Sequence, residues 1–401
     1  MRTSRSAPAR SAALVAGLLA VAACGDYILP GTPEPPPRPE APPLEGEDAA
    51  SPPRPVAGEN RDASGGSSGP RDASPPPVVV RDAGDTAPPP PVAWEPPPYG
   101  AVTPSGPGHV IYLHPDGKYR RVEATVGAPI EVLDTALDRL SPGEDTRMNL
   151  SRDGAWLVAE TSRFGCSTEP CLAVYQSSLA AGELVRIGGQ PVRLGGSMMA
   201  IGAQGRLIIF GAGGAHATDL YSTVKTAAGW SEPRVLSAAS TYDYNQRPAL
   251  SPDARKVAFD CGPDPSGGER GAICEVNVDG TGFRVLRTSA GILNLHSPSY
   301  APDGTIVLEH EQKGVGEEVF GEQIYKFDPA TTTPEYPLAP TYSNDNSPCV
   351  LPNGNIVSLW LQRPGNDDGW HELRMMSPTG TPIGMLAIGY DLVDIGEGCG
   401  N

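Results

Sequence analysis

Polar residues suited to binding or acid–base work recur in this 401-residue chain at multiples of about fifty positions, each set a few residues ahead of a turn: Asp145, Thr146 and Arg147; Asn245, Gln246 and Arg247; Asn294 and His296; Asn344, Asp345 and Asn346. Carboxylate, guanidinium, imidazole and amide groups give directional hydrogen bonds and charge, so a rigid frame that converged them would make either a ligand or peptide site or a solvated rim. His296 stands alone among them and reads as a hydrogen-bonding group. No clustered Cys-x-x-Cys or histidine spacing calls for a metal. Other motifs carry less. Gly65-Gly66-Ser67-Ser68-Gly69 has the letters of a nucleophile elbow, but that motif works only between a strand and a helix, and this tract is all glycine and serine. His310-Glu311 opens like a zinc-protease helix, yet no second histidine follows, and the pair reads as a solvated strand end. Asp153, Asp253 and Asp303 sit in Asp-Gly or Pro-Asp turns, where aspartate accepts local backbone hydrogen bonds, so they read as structural.

The elements that would position the polar sets repeat as well. Leu150-Ser151-Arg152-Asp153-Gly154, Gly202-Ala203-Gln204-Gly205, Leu250-Ser251-Pro252-Asp253-Ala254, Tyr300-Ala301-Pro302-Asp303-Gly304 and Val350-Leu351-Pro352-Asn353-Gly354 are each followed by a β-type apolar run, and their last residues lie 51, 49, 50 and 50 positions apart. A hairpin-like pair follows every run, for example Ile273 to Val276 with Phe283 to Leu286. Four strands per repeat make one propeller blade. His109 to Leu113 and Tyr119 to Glu123 supply only part of a blade, and Tyr390 to Ile395 is left over at the other end. Their pairing would close a ring of six blades, with the polar sets around the mouth of its channel.

Ala249-Leu250-Ser251-Pro252-Asp253 and Ser299-Tyr300-Ala301-Pro302-Asp303-Gly304, with the strands that follow, resemble the repeat of TolB-like six-bladed β-propellers over residues 107–401. The resemblance implies an all-β fold. It says little about function, since similar propellers serve as periplasmic interaction modules, as peptidase accessory domains and in some lyases. Those lyases use several histidines and a metal, which the mouth set here does not supply. The repeat departs from the pattern at Gln204, Ala254 and Asn353.

Seven cysteines divide into Cys24 and six others. An even set in an exported chain favours disulfides. Cys166 and Cys171 bracket one short loop, Cys261 and Cys274 bracket another, and Cys349 with Cys399 would tie the last residues to an innermost strand.

The first 23 residues have the form of an export signal: Arg2, Arg5 and Arg10, then an apolar run from Ala12 to Ala23. Val21-Ala22-Ala23-Cys24 resembles the lipobox of bacterial lipoproteins, which implies that Cys24 becomes the lipidated first residue. Gly25 after it, in place of aspartate, points to the outer membrane. Residues 24–106 are rich in proline and poor in large apolar side chains, so they are expected to be a disordered tether. Arg61-Asp62-Ala63, Arg71-Asp72-Ala73 and Arg81-Asp82-Ala83 recur within it, and its reach would be on the order of 50 to 150 Å. The formal charge of −17 becomes three units more negative once the signal is removed. Such a chain does not suit nucleic acid, whose phosphates need a basic surface.

These readings lead to a monomeric, lipid-anchored envelope protein without a cofactor, whose propeller binds a protein or peptide partner and is not an enzyme. The alternative is a carbohydrate or small-ligand binding protein, or a lyase-like enzyme, in which Arg147, Arg247 and His296 contact an acidic ligand at the channel mouth. A surface spacer without a specific partner is the third.

Overall fold

A computed structural model describes residues 102–104, 106–114, 116–166, 169–194, 198–262, 271–289, 293–313, 319–331, 336–338, 345–361, 370–390 and 398–400. The signal, Cys24, the tether up to residue 101, Asn344 and the Gly65–Gly69 tract lie outside them.

Every apolar run of the repeat becomes the second strand of an antiparallel sheet, and the sheets form six blades. The first is Asp145–Leu150, Trp156–Thr161, Cys171–Gln176 and Gly182–Leu184. The second is Met199–Ile201, Leu207–Ala212 and Asp219–Thr226, whose outer side pairs with both Gly229–Trp230 and Arg234–Val235. The third is Tyr244–Leu250, Lys256–Gly262, Ala272–Asn277 and Arg284–Thr288, and the fourth Leu293–Tyr300, Ile306–Lys313, Val319–Phe327 and Tyr336–Pro337. The fifth is Asp345–Val350, Ile356–Leu361, Trp370–Met376 and Pro382–Tyr390. The sixth takes its innermost strand, Cys399–Gly400, from the C-terminus and its others, His109–Leu113, Tyr119–Glu123 and Ile130–Val132, from the N-terminal side.

One expectation about a strand end is corrected. The closing strand is Cys399–Gly400, through His109↔Gly400 and Val110↔Cys399, and not the stretch from Tyr390 to Ile395. Tyr390 is consumed as the last residue of the fifth blade's outer strand, opposite Trp370, and residues 391–395 lie outside the described set. In the first blade the outer strand ends at Leu184. Arg186–Ile187 instead folds back on Gln190–Pro191 across Gly188 and Gly189, both at positive φ, where glycine carries no steric penalty.

Strand alternation sends successive side chains to opposite faces, and each face meets a neighbouring blade. Val257 and Phe259 pack with Leu207 and Ile209 of the second blade, while Ala258 between them packs with Ile306 and Leu308 of the fourth. The same division holds at every junction, so the core is six apolar wedges between blades, including one between the fifth and sixth (Leu351 and Val357 against Val110 and Val122). Burying each such aliphatic contributes about 1.5–3 kcal/mol, and that is what holds the ring.

The repeated turns are structural. Asp153, Asp253 and Asp303 each accept from the backbone N–H two residues on, at 3.2, 3.2 and 3.0 Å, and Asn353 does the same at 2.9 Å. Asp153 also accepts from Gln204 N–H of the next blade at 3.0 Å, so the turn stitches neighbours together. The structure joins Cys166 to Cys171, Cys261 to Cys274 and Cys349 to Cys399.

Candidate functional site

The innermost strands of the first, third, fourth and fifth blades are bulged near their starts, with register breaks after Asp145, Gln246, His296 and Asn346. Three of the bulges hold Arg247, Ser297 and Ser347 at φ of 50°, 51° and 45°, each followed by a proline. Left-handed backbone at residues with a Cβ costs roughly 1 kcal/mol or more, and bulges of this kind re-aim side chains. Neighbouring carboxylates offset that cost. Ser297 N–H donates to Asp260 Oδ1 at 2.9 Å, and Ser347 N–H donates to Glu309 Oε2 at 2.9 Å, so each acid reaches across to the next blade.

Between the third and fourth blades this arrangement surrounds a cavity of about 280 Å³, lined among others by Arg247, Asp260, His296, Glu309, Glu311 and Glu322. Arg247 Nη1 pairs with Asp260 Oδ2 at 3.0 Å and approaches His296 Nδ1 at 3.4 Å. His296 Nδ1 lies 3.5 Å from Asp260 Oδ2, and Nε2 lies 3.4 Å from Glu311 Oε2. Asn294 Nδ2 donates to the same Glu311 oxygen at 3.1 Å. Glu311 and Glu322 are direct cross-strand partners. Two cations thus stand among four acids, and both cations are already committed to ion pairs. Burial pulls the His296 imidazole down, but its hydrogen bonds to Asp260 and Glu311 and the charges of Asp260 and Glu309 outweigh that and raise it to about 9. Glu309 is 8% exposed, and burial pushes its carboxyl above the usual range despite the nearby His296 and Arg247 charges.

Of the sequence-predicted set, Gln246, Arg247, Asn294 and His296 meet in this one cavity. Asp145 faces inward: it is 5% exposed, accepts from Arg163 Nε at 2.8 Å and from the Tyr175 hydroxyl at 3.2 Å, and belongs to the frame. Asn245 is fully buried and donates to the carbonyls of Thr218 and Tyr242 at 3.0 and 3.1 Å. Arg147 lies on the first blade, 3.8 Å from Glu160, and does not line this cavity. Asp345 and Asn346 begin the fifth blade's innermost strand opposite Trp360 and Leu359. Glu311, expected in a solvated strand end, sits within the strand Ile306–Lys313 and lines the cavity, while His310 beside it packs against Tyr325, the rings tilted by 39° with centroids 4.2 Å apart.

Sequence reading missed the acids. Glu160, Asp260 and Glu309 occupy one register in the second strands, pairing with Leu172, Ile273 and Ile324 at the equivalent point of each blade. Each ends an apolar run, where a charged residue reads as the strand's exit to solvent. The available signal was the repeated bulge dipeptide, Arg247-Pro248, Ser297-Pro298 and Ser347-Pro348, at a spacing of fifty residues.

The cluster makes the structure pH-sensitive. A histidine raised from 6.5 to about 9 on folding adds stability that is fully present below pH 6.5 and is lost as pH rises through 9. The raised Glu309 acts in the same direction at lower pH. The thermal midpoint should therefore fall between pH 6.5 and 9, by the equivalent of on the order of 2–3 kcal/mol. Scanning calorimetry of the His296→Gln chain should show this part of the profile flattened; an unchanged slope would contradict the assignment.

No known protein-family model matches the sequence, and no curated protein matches it either. Solved structures do. TolB from Acinetobacter baumannii superposes with a TM-score of 0.50 at 15% identity, over 72% of this chain and 66% of that one. A protein described as TolB from Agrobacterium tumefaciens gives 0.46 at 16% identity, over 71% and 89%. A puromycin-hydrolyzing peptidase of Mycobacterium tuberculosis gives 0.44 at 15% identity, over 70% of this chain and 44% of the peptidase. With the blade count and register above, the likeness to the Acinetobacter structure defines the class: a six-bladed β-propeller of the TolB-like fold. Among the described residues, no helix is long and apolar enough to cross a membrane, and no group of three His, Cys, Asp or Glu side chains is arranged to hold a metal ion.

Proposed function

We propose that this chain is a lipid-anchored cell-envelope protein whose propeller captures a cationic segment of a protein or peptide partner, and that it does so without catalysis. The observation that carries the reading is the excess of carboxylate around the cavity between the third and fourth blades. Asp260, Glu309, Glu311 and Glu322 face it against Arg247 and His296, so the residual charge is negative even with Glu309 protonated. A guanidinium or ammonium group entering there would find acceptors held by a rigid frame, and the formal charge of −17 on the whole chain would steer it inward. An acidic ligand is disfavoured, because Arg247 and His296 are already paired.

Anchoring rests on Cys24 and its preceding Val21-Ala22-Ala23, with the proline-rich tether setting the distance from an outer membrane. A Cys24→Ser chain should move from the membrane fraction to the soluble fraction and lose fatty-acid labelling; retention of both would overturn the anchor. For the binding site, the test is titration of the full chain with a short arginine-rich peptide, a neutral peptide and an acidic one. The basic peptide should bind about tenfold or more tightly than the neutral one and weaken steeply with salt. Equal affinity for all three would remove the reading.

A further inference from the structure

A second cavity, of about 50 Å³, receives a residue from every blade: Asn149, Ala200, Ala249, Ser299, Val350 and Cys399 each line it from a different sheet. Arg152 enters the same space. It occupies the turn position that is proline in three other repeats (Pro252, Pro302 and Pro352), so a guanidinium here is a departure from the repeat. Its Nη1 crosses the channel and donates to the Tyr300 carbonyl of the fourth blade, three blades away around a ring of six, at 3.0 Å. Its Nη2 is buried and meets no protein acceptor, and no carboxylate lies within ion-pair distance, among the described residues.

A charged group taken out of water in this way requires a counter-charge or further acceptors. Burial lowers the Arg152 guanidinium to about 10, so it remains a cation at neutral pH. A second donor faces the cavity: Ser299 Oγ accepts from Val350 N–H at 3.1 Å, which leaves its own proton for another acceptor. The other walls include Ala200, Ala249 and Val350, which neither compete for an anion nor repel it. Size narrows the choice. On this measure one water needs about 10–15 Å³, so the space takes a few waters, or a small inorganic anion with part of its hydration shell.

We propose that Arg152 and Ser299 hold a small inorganic anion such as chloride on the propeller axis, where it neutralises the part-buried guanidinium and helps to lock opposite blades together. The site is separate from the mouth and does not depend on the peptide-binding reading.

The test is the thermal midpoint of the full chain as chloride replaces gluconate at constant ionic strength. A saturable rise is expected, on the order of 5 °C at a hundredfold excess over Kd. Arg152→Met should give a flat response, with a midpoint in gluconate no lower than that of the unmodified chain, because the uncompensated charge is gone. Ser299→Ala should retain the rise but need about tenfold more chloride for half-saturation. A flat response from the unmodified chain, or a saturable one from Arg152→Met, would overturn the site. If Arg152→Met does not fold, chloride-35 linewidths on the unmodified chain decide: broadening that bromide reverses supports the site, and its absence refutes it.

Discussion

Replacing Cys349 and Cys399 together by serine should lower stability by about 4 kcal/mol, from the entropy of a cross-link spanning 50 residues. The site of the bond adds to its weight. The sixth blade is assembled from both ends of the described chain, and its innermost strand pairs through His109↔Gly400 and Val110↔Cys399, with Ile111 N–H donating to the Gly398 carbonyl at 2.8 Å beside them. Cys349 belongs to the innermost strand of the fifth blade, so the disulfide fixes that two-residue strand where the ring closes. Shorter loops make the other two bonds weaker, at about 3 kcal/mol for Cys261–Cys274 with its separation of 13, and about 2 kcal/mol for Cys166–Cys171 with its separation of 5. Urea unfolding of the three paired serine chains checks the order. A smaller loss for the closing bond than for Cys166–Cys171 would mean that the ring is held shut by blade packing alone.

The second large effect lies in the first blade. Arg163 is fully buried and gathers Asp145 at 2.8 Å, Asp138 at 2.6 Å, the Ser141 carbonyl at 2.7 Å and Asp134 at 3.7 Å. These tie the helix Asp134–Leu140, which leads in from the sixth blade, to the start of the first blade. Arg163→Met leaves the buried Asp145 carboxylate without its cation and should cost about 3–5 kcal/mol. Arg163→Lys should recover little, since one ammonium cannot serve three acids and a carbonyl in forked geometry. Adding Asp145→Leu to Arg163→Met should restore part of the loss. A cost below about 1 kcal/mol for Arg163→Met would show that the network is hydrated in solution.

Legibility in the sequence followed repetition. The turn, the second strand and its period set the blade count, because each copy had to bury both faces against its neighbours. The half-blade of His109 and Tyr119 called for closure from the far end, yet the strand that closes is only Cys399–Gly400, too short to show a pattern of its own. The site was half legible. Arg247, Asn294 and His296 were marked by their place ahead of the innermost strands, whereas Asp145 and Asn245, alike in sequence position, turn inward to Arg163 and to the Thr218 and Tyr242 carbonyls. Their fate depends on partners far away in sequence. The acids were hidden because a carboxylate at the end of an apolar run has no periodicity, and Asp260 and Glu309 find backbone donors only in the bulges of the next blade, far along the chain.

The carboxylate character of the mouth is tested most directly by titrating the arginine-rich peptide into the full chain and into the Glu311→Gln/Glu322→Gln chain, which removes two cavity charges and spares the acids that clamp the bulges. A loss of about tenfold or more in affinity and a shallower salt dependence are expected. Undiminished affinity with the same salt dependence would place the binding surface elsewhere on the propeller and contradict the account.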